Sequence, residues 1–104
     1  MTQPDMQAIM QQAQQMQAQL QAAQEEILRS TVTGESGNGL VKIEMAGSGS
    51  INSLSIDPQV VDPNDVETLQ DLVIGAFVDA NKNLQSLAEE KMGPLSQGMN
   101  SLGL

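Results

Sequence analysis

No cysteine, histidine, tryptophan or tyrosine occurs among the 104 residues, and Phe77 is the single aromatic. Without cysteine there is no disulfide framework, no thiolate metal site and no thiol nucleophile. An active site would have to rest on carboxylates, lysine or serine. No spacing of these suggests a nucleophile with its base and orienting partner, so neither an enzyme nor a cofactor is expected. The acidic residues Asp57, Asp62, Asp65, Glu67 and Asp71 lack the alternating ligands, central glycine and terminal glutamate of a calcium loop, so no metal is expected there. One phenylalanine cannot furnish a stacking platform for single-stranded nucleic acid. Positive charge is scarce: four basic residues face thirteen acidic ones, a net charge of −9, and the basic footprint usual in a nucleic-acid binder is missing. No apolar run approaches the roughly 18 residues of a membrane span, and residues 1–5 do not open a basic-then-apolar export signal. A cytoplasmic protein with no membrane association is the expectation.

What is present reads as one globular domain over residues 1–104. The hydrophobic fraction of 39 % is ordinary for a folded chain, but the shortage of large side chains limits a monomer's core and makes self-association an expectation. From about residue 5 to residue 29 the chain is rich in Gln, Ala and Met, with neither Gly nor Pro after Pro4, which predicts a long helix. Met6, Ala13, Leu20 and Ile27 fall on one heptad position and Ile9, Met16 and Ala23 on another, an unbroken apolar seam. Most other positions are glutamine, ten between Gln3 and Gln24, and no charge lies between Asp5 and Glu25.

The period then changes to two, and residues 30–56 predict a three-stranded antiparallel sheet. Ser30–Thr33 is a short β-branched strand, and Gly34–Gly39 a glycine-rich turn suited to positive φ. Leu40–Ala46 alternates, with Val41, Ile43 and Met45 opposite Lys42 and Glu44. After a turn at Gly47–Gly49, the third strand Ile51–Ile56 places Leu54 and Ile56 on one face. Asp62-Pro63 reads as N-cap and first residue of a second helix over 62–92, stopped by Gly93-Pro94. Its apolar arc runs from Val66 through Leu72, Ala76, Phe77 and Ala80 to Leu87, while Ile74 and Val78 stand aside from the centre. Residues 93–104 read as a flexible tail. The fold class is therefore α+β: long helix, three-stranded sheet, long helix.

The stretches VTGESGNGLVKI (32–43), SID (55–57) and ETLQDLVIGAFVDANK (67–82), with the glutamine-rich opening and the SQGM ending at Met99, resemble the YbaB/EbfC family of bacterial nucleoid-associated proteins. The resemblance covers roughly residues 6–99. It implies a homodimer whose paired helices project like the arms of tweezers, binding double-stranded DNA and influencing nucleoid organisation or gene expression, with no enzymatic activity or cofactor.

Arg29, Lys42, Lys82 and Lys91 are the only candidates for phosphate contact. Gln12, Gln15 and Gln19 are candidates for base edges, because glutamine can pair with adenine in a major groove, although uncharged polar residues on a solvated helix need no such role and a structural or solubilising one is the stronger expectation. Met6, Ile9, Ala13, Met16, Leu20, Ile74 and Val78 are the candidate dimerisation residues. A second expectation is a protein-interaction adaptor or holdase-like dimer with little DNA affinity, gripping a protein partner between paired helices. The charge is unevenly spread: residues 57–92 hold eight of the thirteen acidic residues, leaving the first helix and the sheet nearly neutral.

Overall fold

A computed structural model describes residues 6–101, with side chains described for 6–93. The elements are α1 (Met6–Arg29), β1 (Thr31–Ser36), β2 (Val41–Ala46), β3 (Ile51–Ile56) and α2 (Val66–Ser101), with a single 3-10 turn at Pro58–Val60 before α2. The strands form one antiparallel sheet in the order β1-β2-β3. This is the α+β order that the two periodicities predict. The molecule is drawn out, with principal extents of 79 × 21 × 16 Å.

Helix α1 ends where Ser30 takes over its last carbonyls. The Ser30 N–H donates to Ile27 O at 3.0 Å and its hydroxyl to Glu26 O at 2.7 Å, satisfying groups that a helix terminus leaves orphaned. Strand β1 follows and runs three residues further than its β-branched start predicts. The turn is confined to Gly37, Asn38 and Gly39, with φ of 59°, 58° and 90°. These are values that glycine, and next to it asparagine, reach most cheaply.

Gly34 therefore belongs to the strand, not to the turn, and the need for glycine there is steric. A Cβ at Gly34 would lie 2.2 Å from Ala80 N and 2.3 Å from Ala76 O, so the strand backbone rests directly on the backbone of α2. Ala76 and Ala80, one turn apart, are buried at this crossing, and Val41, Ile43 and Met45 of β2 complete the core beneath the helix. Leu72, Val73 and Leu84 close it from the sides. The alternation expected for β2 is thus realised, with the odd-numbered side chains buried and Lys42 and Glu44 exposed.

Two boundaries differ from the sequence expectation. Asp62 does not cap the second helix. Its carboxylate accepts from Asn64 N at 2.9 Å and its carbonyl from Asp65 N at 2.9 Å, so Pro63 sits in a turn. Asp65 does the capping, accepting from Thr68 N at 3.3 Å and from the Thr68 hydroxyl at 2.7 Å, and α2 begins one residue later. At the other end, α2 continues through Gly93-Pro94 to Ser101, where a flexible tail is the sequence expectation. A proline's fixed φ is itself helical, and what it removes is one backbone hydrogen bond. The carbonyl deprived of its partner belongs to Glu90, whose exposed position leaves it open to water. Asp5 at the head of the predicted first helix and residues 102–104 of the predicted tail lie outside the described residues.

Strand β3 carries a second departure from simple alternation. The register shifts between Glu44 and Met45, so that Ser53 faces Glu44 while Ile51 faces Met45 and Asn52 is the extra residue. Such a bulge switches the side on which the following residue points. Ile51 thereby joins Leu54 and Ile56 on the face that looks toward α2.

Candidate nucleic-acid interface

The two helices run antiparallel. Leu72 O accepts from the Ser36 hydroxyl, Asp79 Oδ2 from Glu35 N at 3.0 Å, and Thr33 O from Asn83 Nδ2 at 2.7 Å, so α2 climbs along β1 toward its start. Further up, Lys91 Nζ meets Glu26 Oε1 of α1 at 2.8 Å. Beyond the sheet the two helices therefore continue side by side as an arm.

Along that arm α1 is thinly covered. Ala23 is its one buried residue, Met16, Leu20 and Ile27 are half-buried, and Met6, Ile9 and Ala13 are exposed. The half of the seam nearest the sheet is covered within one chain; the half nearest the tip is open. Gln12, Gln15 and Gln19 are all exposed on this arm, in a stretch from Met6 to Gln24 that holds no charged residue.

The four cations are not gathered into one patch. Arg29 and Lys91 both act on Glu26. The hydrogen bond and charge of Lys91, and more weakly the charge of Arg29, hold the Glu26 carboxyl below its ordinary value of 4.5. Lys91 is raised above 10.5 by the same hydrogen bond and charge. Lys82 lies nine residues earlier on α2, about 13 Å along the axis at 1.5 Å per residue, exposed and one turn from Asp79. Lys42 is on the far face of the sheet, across the ladder from Glu35 and two residues from Glu44. Each cation thus has a carboxylate for a neighbour.

On the α2 side of the sheet, Ile74 and Val78 are exposed, as their offset from the apolar arc implies, at 60 % and 59 %. Phe77 is 42 % exposed, although the arc assigns it to the covered face. The helix lies over β1 and β2, so its side toward β3 has nothing beneath it. There Ile56, Leu69, Gln70, Val73 and Ile74 line a shallow groove, continued by the exposed Leu54 and Ile51. The bulge that turns Ile51 into this strip has no signature in the sequence beyond the serine- and asparagine-rich composition of β3.

Among the described residues no group of three or more His, Cys, Asp or Glu is placed to hold a metal ion, and no helix is long and apolar enough to cross a membrane.

The architecture is an extended α+β domain: a small sheet backed by one long helix, from which an antiparallel helical arm projects. The chain belongs to the YbaB/EbfC DNA-binding family, whose model matches residues 2–99. It is 68 % identical over 103 residues to the nucleoid-associated protein jk2011 of Corynebacterium jeikeium, covering 99 % of each chain. It is 57 % identical over 102 residues to a nucleoid-associated protein of a Mycobacterium species, covering 98 % of this chain and 93 % of the relative. The fold matches the crystal structure of the uncharacterized protein HP0035 from Helicobacter pylori with a TM-score of 0.66 at 24 % identity, over 93 % of this chain and 98 % of that one.

Proposed function

We propose that the chain acts as a homodimer that binds duplex DNA in the bacterial nucleoid, altering DNA conformation or gene expression without chemistry of its own. The observation that carries this reading is membership, over nearly the whole chain, in a DNA-binding family, together with close relatives named as nucleoid-associated proteins. The arm is the surface best suited to the contact, because the acidic residues concentrate on α2 and its approach while α1 offers an uncharged glutamine-rich stretch over residues 6–24. In this reading Arg29, Lys82, Lys91 and Lys42 meet phosphates, and Gln12, Gln15 and Gln19 lie against the groove. Dimerisation draws on the exposed apolar residues Met6, Ile9, Ala13, Ile74 and Val78, with Met16 and Leu20 extending the seam.

The test is fluorescence anisotropy of a labelled duplex at low and physiological salt. A dimer has eight cations, so binding falls with salt at a logarithmic slope no steeper than about −7, at roughly −0.9 per phosphate neutralised. Failure to bind at low salt, with the dimer confirmed by light scattering, overturns the DNA reading. The scattering of the cations favours a second reading, an adaptor or holdase-like dimer that grips a protein partner. Pull-downs that survive nuclease and carry protein without nucleic acid would establish it.

A further inference from the structure

Seven methionines carry all of the chain's readily oxidised side-chain chemistry, since cysteine, histidine, tryptophan and tyrosine are absent. Their distribution is uneven. Met45 alone belongs to a strand, and it is 1 % exposed beneath α2. Met6, Met10 and Met16 lie on α1 and Met92 on α2, while Met1 and Met99 fall outside the described side chains. Met6 and Met10 are 69 % and 59 % exposed, and Met16 and Met92 are half-buried.

The lengths of the two helices explain this gradation. Lys91 of α2 stands opposite Glu26 of α1, and the helices run antiparallel. From Lys91, α2 continues to Ser101, about 15 Å at 1.5 Å per residue, and the same distance back along α1 from Glu26 reaches Met16. Residues 6–15 therefore run on past the last described turn of α2. Each of them is exposed, and Met16, one turn before the half-buried Leu20, is the first that is not. A lone helical stretch of that length is marginal in water, and no described element of the chain shields the sulfurs of Met6 and Met10.

We propose that the arm is a modification site for hydroperoxides, at which Met6 and Met10 are oxidised first and Met16 next, loosening α1 from α2 while the sheet and its Met45 stay intact. A thioether lone pair attacks one oxygen of hydrogen peroxide. The S–O bond forms as the O–O bond breaks, and the departing oxygen leaves with both protons as water. The sulfur is oxidised to the sulfoxide and the peroxide reduced by the same electron pair; a sulfoxide reductase with a thiol as reductant reverses the step. At Met6 and Met10 the added oxygen meets water and costs the fold little. At Met16 a polar S=O group replaces an apolar sulfur at the margin of the helix contact, where α1 has little else to hold it, Ala23 being its one buried residue. The open end of the apolar seam thus turns polar without any addition to the net charge of −9.

The experiment exposes the full-length wild type and Met16→Leu, a swap that nearly conserves volume, to hydrogen peroxide and follows each methionine by peptide mass spectrometry. Met6 and Met10 are expected to oxidise at close to the rate of free methionine. Met45 is expected to react at least about a hundredfold more slowly, because its sulfur is reached only when the core opens. Amide exchange, read by NMR, is expected to rise about tenfold over residues 16–29 once Met16 is oxidised and to stay unchanged in β2. In Met16→Leu that rise is absent although Met6 and Met10 still react, and in the wild type a sulfoxide reductase with a thiol reverses it. Met6 and Met10 as slow as Met45 would show that another surface covers the tip, and would overturn the proposal. So would a Met45 that reacts together with Met16, or an equal rise in exchange in both proteins. The order of rates is read on the wild type alone, so it stands even if Met16→Leu fails to fold. Neither readout involves DNA, and the outcome is independent of the function proposed above.

Discussion

The head of the molecule, where α2 crosses the sheet, and the arm, where α1 lies along the rest of α2, are held by different means. In the head, Val41, Ile43 and Met45 are sealed beneath Ala76 and Ala80, backbone touches backbone at Gly34, and Asp79, Asn83 and Ser36 bind helix to strand edge. In the arm, α1 buries a single alanine and the described charged contact is the exposed pair Glu26–Lys91. Specificity of fold therefore resides in some fifty residues of the head, and the arm is an extension whose order is borrowed from it. A chain short of aromatics achieves a dense core by bringing backbones together instead of filling space with large side chains.

The strongest way to break this contrast is at Gly34. Gly34→Val is expected to abolish cooperative folding, at a cost above about 4 kcal/mol, because the added carbons meet helix backbone that cannot rotate away. Thermal denaturation followed by circular dichroism checks this, and a melting temperature near that of the wild type would refute the backbone contact. A matched pair of truncations sharpens it next. Ile43→Ala in the head is expected to cost about 2–5 kcal/mol of global stability. Leu20→Ala in the arm is expected to cost about 1 kcal/mol or less and to act locally, raising amide exchange in α1 while the β2 amides keep their protection. Equal global losses would mean that head and arm form one cooperative unit.

The smallest effect expected concerns Glu26 and Lys91. The Glu26 carboxyl is held low, so its contribution is present above its ordinary 4.5 and fades as pH falls through its lowered value. Lys91 is held high, so its share is complete below 10.5 and fades as pH rises through its raised value. The brace is thus intact across neutral pH and opens at both extremes. In Lys91→Met the Glu26 carboxyl is expected to titrate closer to 4.5, as read from its carbon chemical shift. An unchanged titration would remove the brace from the account of the arm.

How much of this was legible in the sequence follows the same division. The heptad seam marks α1, and strict alternation marks β2 and the outer limits of β3, because these patterns express burial along a single element. Gly34 reads as turn chemistry beside Gly37 and Gly39; its real reason is a helix more than forty residues away in the chain. Asp62 and Asp65 are equally good caps on composition, and the choice falls to the hydroxyl of Thr68. Gly93-Pro94 reads as a stop, yet one missing hydrogen bond on an exposed face does not end the helix. For the candidate site, the residue types were evident but their arrangement was not. The four cations are conspicuous by scarcity, while their separation, and the carboxylate beside each, are facts of tertiary structure. The uncovered flank of β3 was hidden for a similar reason, since Leu54 and Phe77 carry the pattern of covered residues and only the lateral placement of α2 leaves them bare.

The close crossing at Gly34 also makes the arm a lever with a stiff fulcrum. Residues 6–29 span about 36 Å at 1.5 Å per residue, so a rotation of only about 10° at the crossing would carry the tip by roughly 6 Å. That is half the width of a major groove. Because backbone rests on backbone there, with no side chain between to absorb motion, the direction in which the arm points is set by the shape of the head.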